Sequence, residues 1–172
     1  MAYADLATIQ NTDPGDILTA AWCDQVRDNG EFFVDPPTCS VSGSSTQNVE
    51  NDEPTVLTAA TENFDNDSMH STSSNTSRVT IQTPGRYLFL ATVRFDNNSN
   101  PGIRRVSLLV NGTTTIGGMQ VAGVTNQPVR IQATRSFVLD EGEYVEALAY
   151  QTSTQDLMTV NLDELFAMFL TR

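Results

Sequence analysis

A single histidine is the first residue to consider for chemistry, because imidazole is the commonest general acid or base in enzymes. His70 lies in the polar segment Asp67-Ser68-Met69-His70-Ser71-Thr72, and the sequence identifies no serine or cysteine held beside it. A hydrolytic triad depends on that fixed geometry. A zinc site would need several histidines or a cysteine cluster. We therefore predict a solvated loop histidine, no catalytic residue and no enzymatic activity.

Two acidic and amide-rich segments offer oxygen ligands of the kind that calcium prefers. They are Asp65-Asn66-Asp67-Ser68 and Asp96-Asn97-Asn98-Ser99-Asn100. Neither segment has the spacing of an EF-hand loop, and Asp and Asn are ordinary turn residues. We expect both segments to form turns, and we predict no metal and no other cofactor.

The two cysteines, Cys23 and Cys39, are too few to indicate a disulfide framework. Cys23 falls in a predicted helix, and Cys39 follows a Pro-Pro pair. We predict two buried free thiols in preference to a disulfide.

The charge balance excludes one large class of partners. Nine Arg and no Lys face 21 acidic residues, so the net charge is -12. Nucleic acid binding is driven by basic residues that displace counterions, so we predict no nucleic acid partner. The pair Arg104-Arg105 is predicted to be half-exposed charge at a strand edge. The opening residues 1–5 lack a basic signal region, and no run approaches about 20 apolar residues, so we expect neither export nor membrane insertion.

The first part of the chain is predicted to be an arm with a short helix. Thr19 can cap a helix over residues 20–28, with Trp22 and Val26 on one face and Asn29-Gly30 as the stop. Asp35-Pro36-Pro37 then forms a stiff hinge. We divide the chain into a docking arm, 1–38, and a head domain, 39–172.

The remainder has the strand and turn pattern of an all-β antiparallel jelly-roll sandwich of eight to nine strands. The polar run 63–77 is predicted to be a surface loop or a ragged edge strand, and Asn111-Gly112 and residues 140–143 are predicted hairpin turns. The candidate strands are 39–43, 54–59, 78–83, 86–95, 105–111, 116–122, 129–138, 143–151 and 159–171.

Two of these strands are apolar on both faces, which an open antiparallel sheet would not require. In 86–95, Leu88 and Leu90 lie opposite a face that carries Tyr87 and Phe89, and the strand ending at 171 repeats the pattern. We therefore expect one face to cover a core and the other to meet another subunit, although the pattern leaves open which face does which. The candidate subunit-interface residues are Leu88, Leu90, Phe166 and Phe169.

Four short motifs in the predicted strands resemble the trimeric jelly-roll superfamily of complement globular heads and tumour necrosis factor. The resemblance covers roughly residues 39–172. It implies a homotrimer whose inner sheets, which contain 86–95 and the last strand, meet around a threefold axis. The motifs are Pro84-Gly85-x-Tyr87-x-Phe89-x-x-x-Val93, Val106-x-Leu108-x-Val110-Asn111-Gly112, Phe137-x-Leu139-x-x-Gly142-Glu143-x-Val145 and Phe166-x-x-Phe169-Leu170.

A second resemblance lies upstream. Gly15-Asp16-Ile17-Leu18-Thr19-Ala20-Ala21-Trp22, followed by Gln25-Val26-Arg27-Asp28-Asn29, is similar to the opening of many tailed-bacteriophage virion proteins. It implies a docking segment in front of a variable domain. The candidate capsid-docking residues are Ile17, Leu18, Trp22 and Val26, with Trp22 as the main anchor or, alternatively, packed on its own β-domain.

Together these features predict a capsid decoration, or cement, protein. In this hypothesis a homotrimer grips the major capsid protein through its arms, on the exterior of a virion assembled in the host cytoplasm. A trimer suits the threefold points of a capsid lattice. The alternative is a trimeric fibre or tail-tip protein that binds a host-surface glycan or receptor through the loops 63–77 and 96–102.

Overall fold

A computed structural model of the protein describes residues 20–154 and 157–171. It contains one helix and eleven strands in these residues. In chain order they are α1 (Ala20–Val34), β1 (Thr38–Ser42), β2 (Gln47–Glu50), β3 (Thr55–Val56), β4 (Thr61–Asp65), β5 (Arg78–Thr80), β6 (Gly85–Phe95), β7 (Ile103–Val110), β8 (Thr114–Ala122), β9 (Val129–Leu139), β10 (Tyr144–Gln151) and β11 (Leu157–Thr171).

The helix is longer than predicted. It continues through Asn29 and Gly30 to Val34, because Phe32 is buried in the core and this contact outweighs the local stop signal. The backbone NH of Asp35 donates to the Glu31 carbonyl oxygen at 2.8 Å and completes the last turn. Thr19, the predicted cap, lies outside the described residues. Within 20–154 and 157–171, no helix has the length and apolar character needed to cross a membrane.

The strands form two antiparallel sheets, as the jelly-roll prediction requires. The first sheet has the order β4-β1-β11-β6-β9, with β2 also paired to β11. The second has the order β3-β10-β7-β8, with β5 also paired to β10. The structure has more strands than the predicted eight to nine, because β2 and β4 are short edge segments with little apolar patterning. β4 is the ragged edge strand that the start of the polar run suggested.

The predicted alternation in β6 is confirmed. Tyr87 and Phe89 are fully buried and their rings stack at 5.8 Å, and Ala91, Val93 and Phe95 continue the same buried face. Side chains of successive residues point to opposite faces, so Leu88 and Leu90 lie on the other side of the sheet, where they are half-buried.

Both predicted hairpin turns are present. Asn111 and Gly112 have φ values of 51° and 69°, and the NH of Thr113 donates to the Val110 carbonyl at 3.1 Å. Two successive positive φ angles are characteristic of a type I′ turn. In the second turn the NH of Glu143 donates to the Asp140 carbonyl at 3.2 Å.

The sandwich has two distinct ends. At the helix end, β6 begins, β11 finishes and Phe32 of α1 packs on Phe169. At the loop end, β6 and β10 finish and are followed by residues 96–102 and 152–154. The antiparallel pairing of β6 with β11 and of β10 with β7 places these connections together.

Candidate interaction surfaces

The outer face of the first sheet, turned away from the core, carries an apolar patch near the helix end. In the strand register, Leu90 lies beside Phe166 and Leu88 lies beside Met168. Six apolar residues form this patch. Four of them are half-buried, whereas Phe64 is 49% exposed and Val138 is 53% exposed. We call this surface the outer patch, and its residues are Phe64, Leu88, Leu90, Val138, Phe166 and Met168.

Contacts between neighbouring strands make the outer patch continuous. Phe64 and Phe166 flank Ser40 of β1 in the register, and their rings meet edge to face at 6.4 Å. The patch therefore extends over β4, β11, β6 and β9. Contiguous exposed apolar surface of this kind is typical of a site that another molecule covers.

Towards the loop end the same face becomes polar. The Ser40 hydroxyl donates to the Glu164 carboxylate at 2.9 Å. Arg94 and Arg130 lie opposite each other across β6 and β9. Each arginine has a carboxylate partner: Arg94 Nη2 is 3.5 Å from Asp96 Oδ1, and Arg130 Nε is 2.6 Å from Asp163 Oδ2. The outer face is thus apolar at one end and charge-paired at the other.

The predicted subunit-interface residues do not all lie on one face. Leu88, Leu90 and Phe166 belong to the outer patch, but Phe169 is only 8% exposed and faces the core. Its ring centroid is 5.0 Å from that of Phe32 and 5.4 Å from that of Tyr87. Positions 166 and 169 are three apart, an odd number, so a strand places them on opposite faces. The prediction that Phe169 lies at a subunit interface is corrected, because its side chain is in the core; Met168 is the residue of this stretch that shares the outer face with Phe166.

The predicted docking residues are also separated. Ile17 and Leu18 lie outside the described residues. Trp22 is half-buried on the helix face that includes the buried Asn29 and Phe32. Val26, predicted to share a face with Trp22, is 43% exposed.

The helix exposes two further apolar residues that were not predicted from the sequence. Phe33 is 71% exposed and Val34 is 86% exposed. They were missed because the predicted helix ended at residue 28. Once the helix is continued to Val34, helical periodicity places both near Val26.

His70 is held by the backbone and is not the solvated side chain that we predicted. Its Nδ1 lies 2.8 Å from the Arg78 carbonyl oxygen and its Nε2 lies 3.0 Å from the Ala59 carbonyl oxygen. Its backbone NH donates to Asp65 at 2.8 Å. The ring therefore ties the segment after β4 to β5, which is a structural role.

The two oxygen-rich segments are used in turns. Asp65 accepts from the backbone NH groups of Asp67 and His70. Asn98 donates to the Ser153 hydroxyl at 3.0 Å, and Asn100 donates to the Thr154 hydroxyl at 2.8 Å. In the described part of the chain, no group of three or more His, Cys, Asp or Glu side chains could hold a metal ion.

The loop end contains buried polar residues that the sequence did not indicate. Arg104, predicted to be half-exposed, is only 2% exposed, and its guanidinium donates to the Ile103 and Asn100 carbonyls at 3.1 and 3.4 Å. Burial lowers the pKa of this side chain. Gln151 Oε1 accepts from the Ser153 NH at 2.7 Å and from its hydroxyl at 2.6 Å. These bonds connect the strand ends with the loops.

Both cysteines are free thiols, as predicted, but the prediction that both are buried is wrong for Cys23. Cys23 is exposed on α1, whereas Cys39 is buried in β1. Burial raises the pKa of the Cys39 thiol, with the carboxylates of Asp65 and Glu62 adding to the effect. Of the two, Cys23 is therefore the accessible and reactive thiol.

The two-sheet arrangement is that of the jelly-roll domains of complement C1q and tumour necrosis factor. Similar solved structures include the globular domain of zebrafish complement 1qA protein, with a TM-score of 0.56 and 15% identity over 79% of this chain and 98% of that one. The structure of Eiger TNF from S. frugiperda has a TM-score of 0.57 and 11% identity, over 78% of this chain and 94% of that one. Murine APRIL has a TM-score of 0.55 and 12% identity, over 77% of this chain and 98% of that one. Similarity at these identities establishes the fold.

Sequence comparisons add no further assignment. A scan against protein-family models and a search of curated protein sequences both gave no match.

Proposed function

We propose that the protein is a homotrimeric decoration protein of a tailed-bacteriophage capsid. The observation that carries the trimer is the outer patch, an apolar surface centred on the paired strands β6 and β11 of a C1q/TNF-like sandwich. Covering apolar area stabilises an assembly by about 25 cal/mol per Å². Three copies that bring these faces together around an axis would bury the patch and leave the charge-paired end as a polar border.

The capsid assignment rests on the arm. Residues 15–29 resemble the opening of phage virion proteins, and at the end of the helix Val34 is 86% exposed. In this proposal the arm contacts the major capsid protein on the virion exterior after assembly in the host cytoplasm. A ligand that binds only the assembled lattice shifts the equilibrium away from disassembly. The acidic surface accords with a partner other than nucleic acid.

Sedimentation velocity tests the trimer. Leu88→Asp is expected to give monomers, because three buried carboxylates without partners would cost several kcal/mol each. Met119→Asp is the matched control, since Met119 is 49% exposed on the second sheet and should leave a trimer. A wild-type protein that sediments as a stable, folded monomer would contradict the proposal.

Cryo-electron microscopy of virions tests the location. Density for a threefold head on the capsid surface is expected, and density only at the tail would contradict decoration. Deleting residues 1–19 removes Ile17 and Leu18 but keeps Phe32 in the core. This truncated protein is expected to remain trimeric and to lose capsid attachment, whereas wild-type occupancy would rule out docking by this segment.

A second candidate function is receptor or glycan binding at the loop end of a fibre or tail-tip protein. A depression of about 350 Å³ at this end is lined entirely by polar residues, which suits hydroxyl groups of a sugar. Its lining residues are Asn97, Asn98, Ser99, Asn100, Ser153 and Thr154. This candidate would be favoured if the purified head bound host cells and Asn97→Ala abolished that binding. Capsids that carry the wild-type protein should then bind the cells as well.

A further inference from the structure

The exposed side of α1 carries a regular series of small and apolar residues. Cys23, Val26, Gly30 and Phe33 are separated by three, four and three positions, and all four are exposed. Alternating separations of three and four are the a and d spacing of a coiled coil, in which one helix face meets the same face of a neighbouring helix. We call these four residues the seam.

The seam is distinct from the helix face that packs on its own domain. Trp22, Asn29 and Phe32 are half-buried or buried, and Phe32 contacts Phe169 in the core. With about 100° between successive residues, this face lies roughly a quarter-turn from the seam. Among the described residues, the domain contact therefore leaves the four seam residues exposed.

The charged side chains of the helix point away from the seam. Arg27 pairs with Asp24 at 2.9 Å, with Asp28 at 3.1 Å and with Glu31 at 3.9 Å. Helical periodicity places these residues on the side opposite the domain contact. Because no charge lies at the seam, identical helices can meet there without bringing like charges together.

We propose that the seams of three copies pack against one another on the threefold axis as a short parallel helical bundle. The inference rests on the homotrimer proposed above. A 15-residue helix is marginal alone. Phe32 is its one described residue in the apolar core cluster, so packing of the seam would add to the stability of the helix.

Two features make another copy the occupant of the seam. Residues 35–37 join α1 to β1, which belongs to the sheet that carries the outer patch, so assembly through the patch would place the three helices at the same end of the trimer. Gly30 has no atom within 4 Å of the position that a Cβ would occupy, which leaves space for the backbone of a neighbouring helix. A small residue in the middle of a seam permits that close approach.

The native Cys23 thiol gives a direct test with a short bismaleimide, which joins two thiols without an oxidant. Cys23 is exposed and Cys39 is buried, so wild-type trimers should give covalent dimers through Cys23 alone. Thiols held together in one trimer have an effective concentration on the order of millimolar, so at micromolar protein the yield should exceed that of free collisions at least roughly tenfold. Cys23→Ser is the blank. The matched control is Cys23→Ser combined with Asp28→Cys, which moves the thiol to the charged side.

The possible outcomes test the packing of the seam separately from the proposed homotrimer. Strong cross-linking of wild type and weak cross-linking of the control support the seam. Equal yields from both proteins, or none from wild type, in a sample that sediments as a trimer would overturn the seam and leave the trimer standing. A monomer by sedimentation overturns both.

A second variant distinguishes whether the seam is covered by another copy of the chain or by the capsid. Val26→Asp is expected to lower the melting temperature of the free trimer and to abolish the Cys23 dimer. If this variant keeps the wild-type melting temperature and cross-link yield but loses capsid binding, the seam is a capsid contact and the inference is wrong.

Discussion

At the helix end the sandwich is closed by aromatic rings, whereas at the loop end it is closed by hydrogen bonds among buried polar groups. The first closure consists of the rings of Phe32, Tyr87 and Phe169. The second consists of the buried side chains of Arg104, Gln151 and Ser153. Ring packing depends on area and shape, and it tolerates movement. Buried hydrogen bonds tolerate little, because each unsatisfied group costs about 1–3 kcal/mol. We therefore expect the loop end to be the more rigid end and the helix end to be the more adaptable one.

The largest expected effect is at the aromatic closure. Phe169→Ala should lower the free energy of unfolding by about 3–5 kcal/mol and release the helix, because the ring fills the space between Phe32 and Tyr87. Urea unfolding measures the first effect and limited proteolysis within α1 the second. The control is Phe166→Ala at the same protein concentration, which should weaken association instead. An equal loss in both variants, independent of concentration, would contradict the separation of the two faces.

Backbone crowding at the loop end gives the next effect. A Cβ at Gly102 would lie 2.1 Å from the Thr152 carbonyl oxygen, and φ there is +48°. Gly102→Ala should therefore cost roughly 2–4 kcal/mol. Gly142→Ala is the matched control, because φ is +84° but no atom lies within 4 Å. It should lower the free energy of unfolding by only about 1–2 kcal/mol. Equal losses of thermal stability in the two variants would show that the loop end is not tightly packed.

Removing a buried acceptor should have a smaller effect. Gln151→Leu leaves the NH and hydroxyl of Ser153 without their acceptor, and we expect a loss of about 2 kcal/mol. Hydrogen exchange of the Ser153 amide should rise in the same variant. Ser153→Ala, which removes only the hydroxyl, should cost about 1 kcal/mol. Unchanged exchange would contradict the view that these bonds hold the loop.

The smallest effect concerns charge near the aromatic closure. Burial raises the pKa of Asp67, against the opposing hydrogen bond from Thr83. A raised pKa means that the folded state binds the proton more tightly, so stability should fall as pH rises through this pKa, from about 4 upwards. Asp67→Asn should flatten that slope and add only roughly a few tenths of a kcal/mol at pH 7, because solvent screens the partly exposed carboxylate. If Asp67→Asn leaves the pH dependence of the free energy of unfolding unchanged between pH 4 and 7, the raised pKa of Asp67 is contradicted.

The fold could be predicted because it follows from patterns that extend along whole strands. The alternation in residues 86–95 and the turn at Asn111-Gly112 both indicate their structure without knowledge of their neighbours. The outer patch was partly predictable for the same reason, since Leu88 and Leu90 must oppose Tyr87. Phe169 was misassigned because the pattern of β11 does not say which of its apolar faces is inside.

Long-range contacts account for what the sequence could not indicate. The helix continues past Asn29 because Phe32 meets a ring at the far end of the chain. Arg104 is buried with its two terminal nitrogens on carbonyls of the preceding loop and of its own strand. His70 is fixed by two carbonyls from other segments. None of these partners lies in a regular sequence pattern around the residue.

The position of β11 has a consequence for the order of events during synthesis. This strand lies in the middle of the first sheet, between β1 and β6, and it also pairs with β2. The early strands therefore lack their central partner until β11 has left the ribosome. Pairings so distant in sequence form slowly, and unpaired strand edges are prone to aggregate meanwhile. We expect that the domain completes its folding only after β11 has been translated.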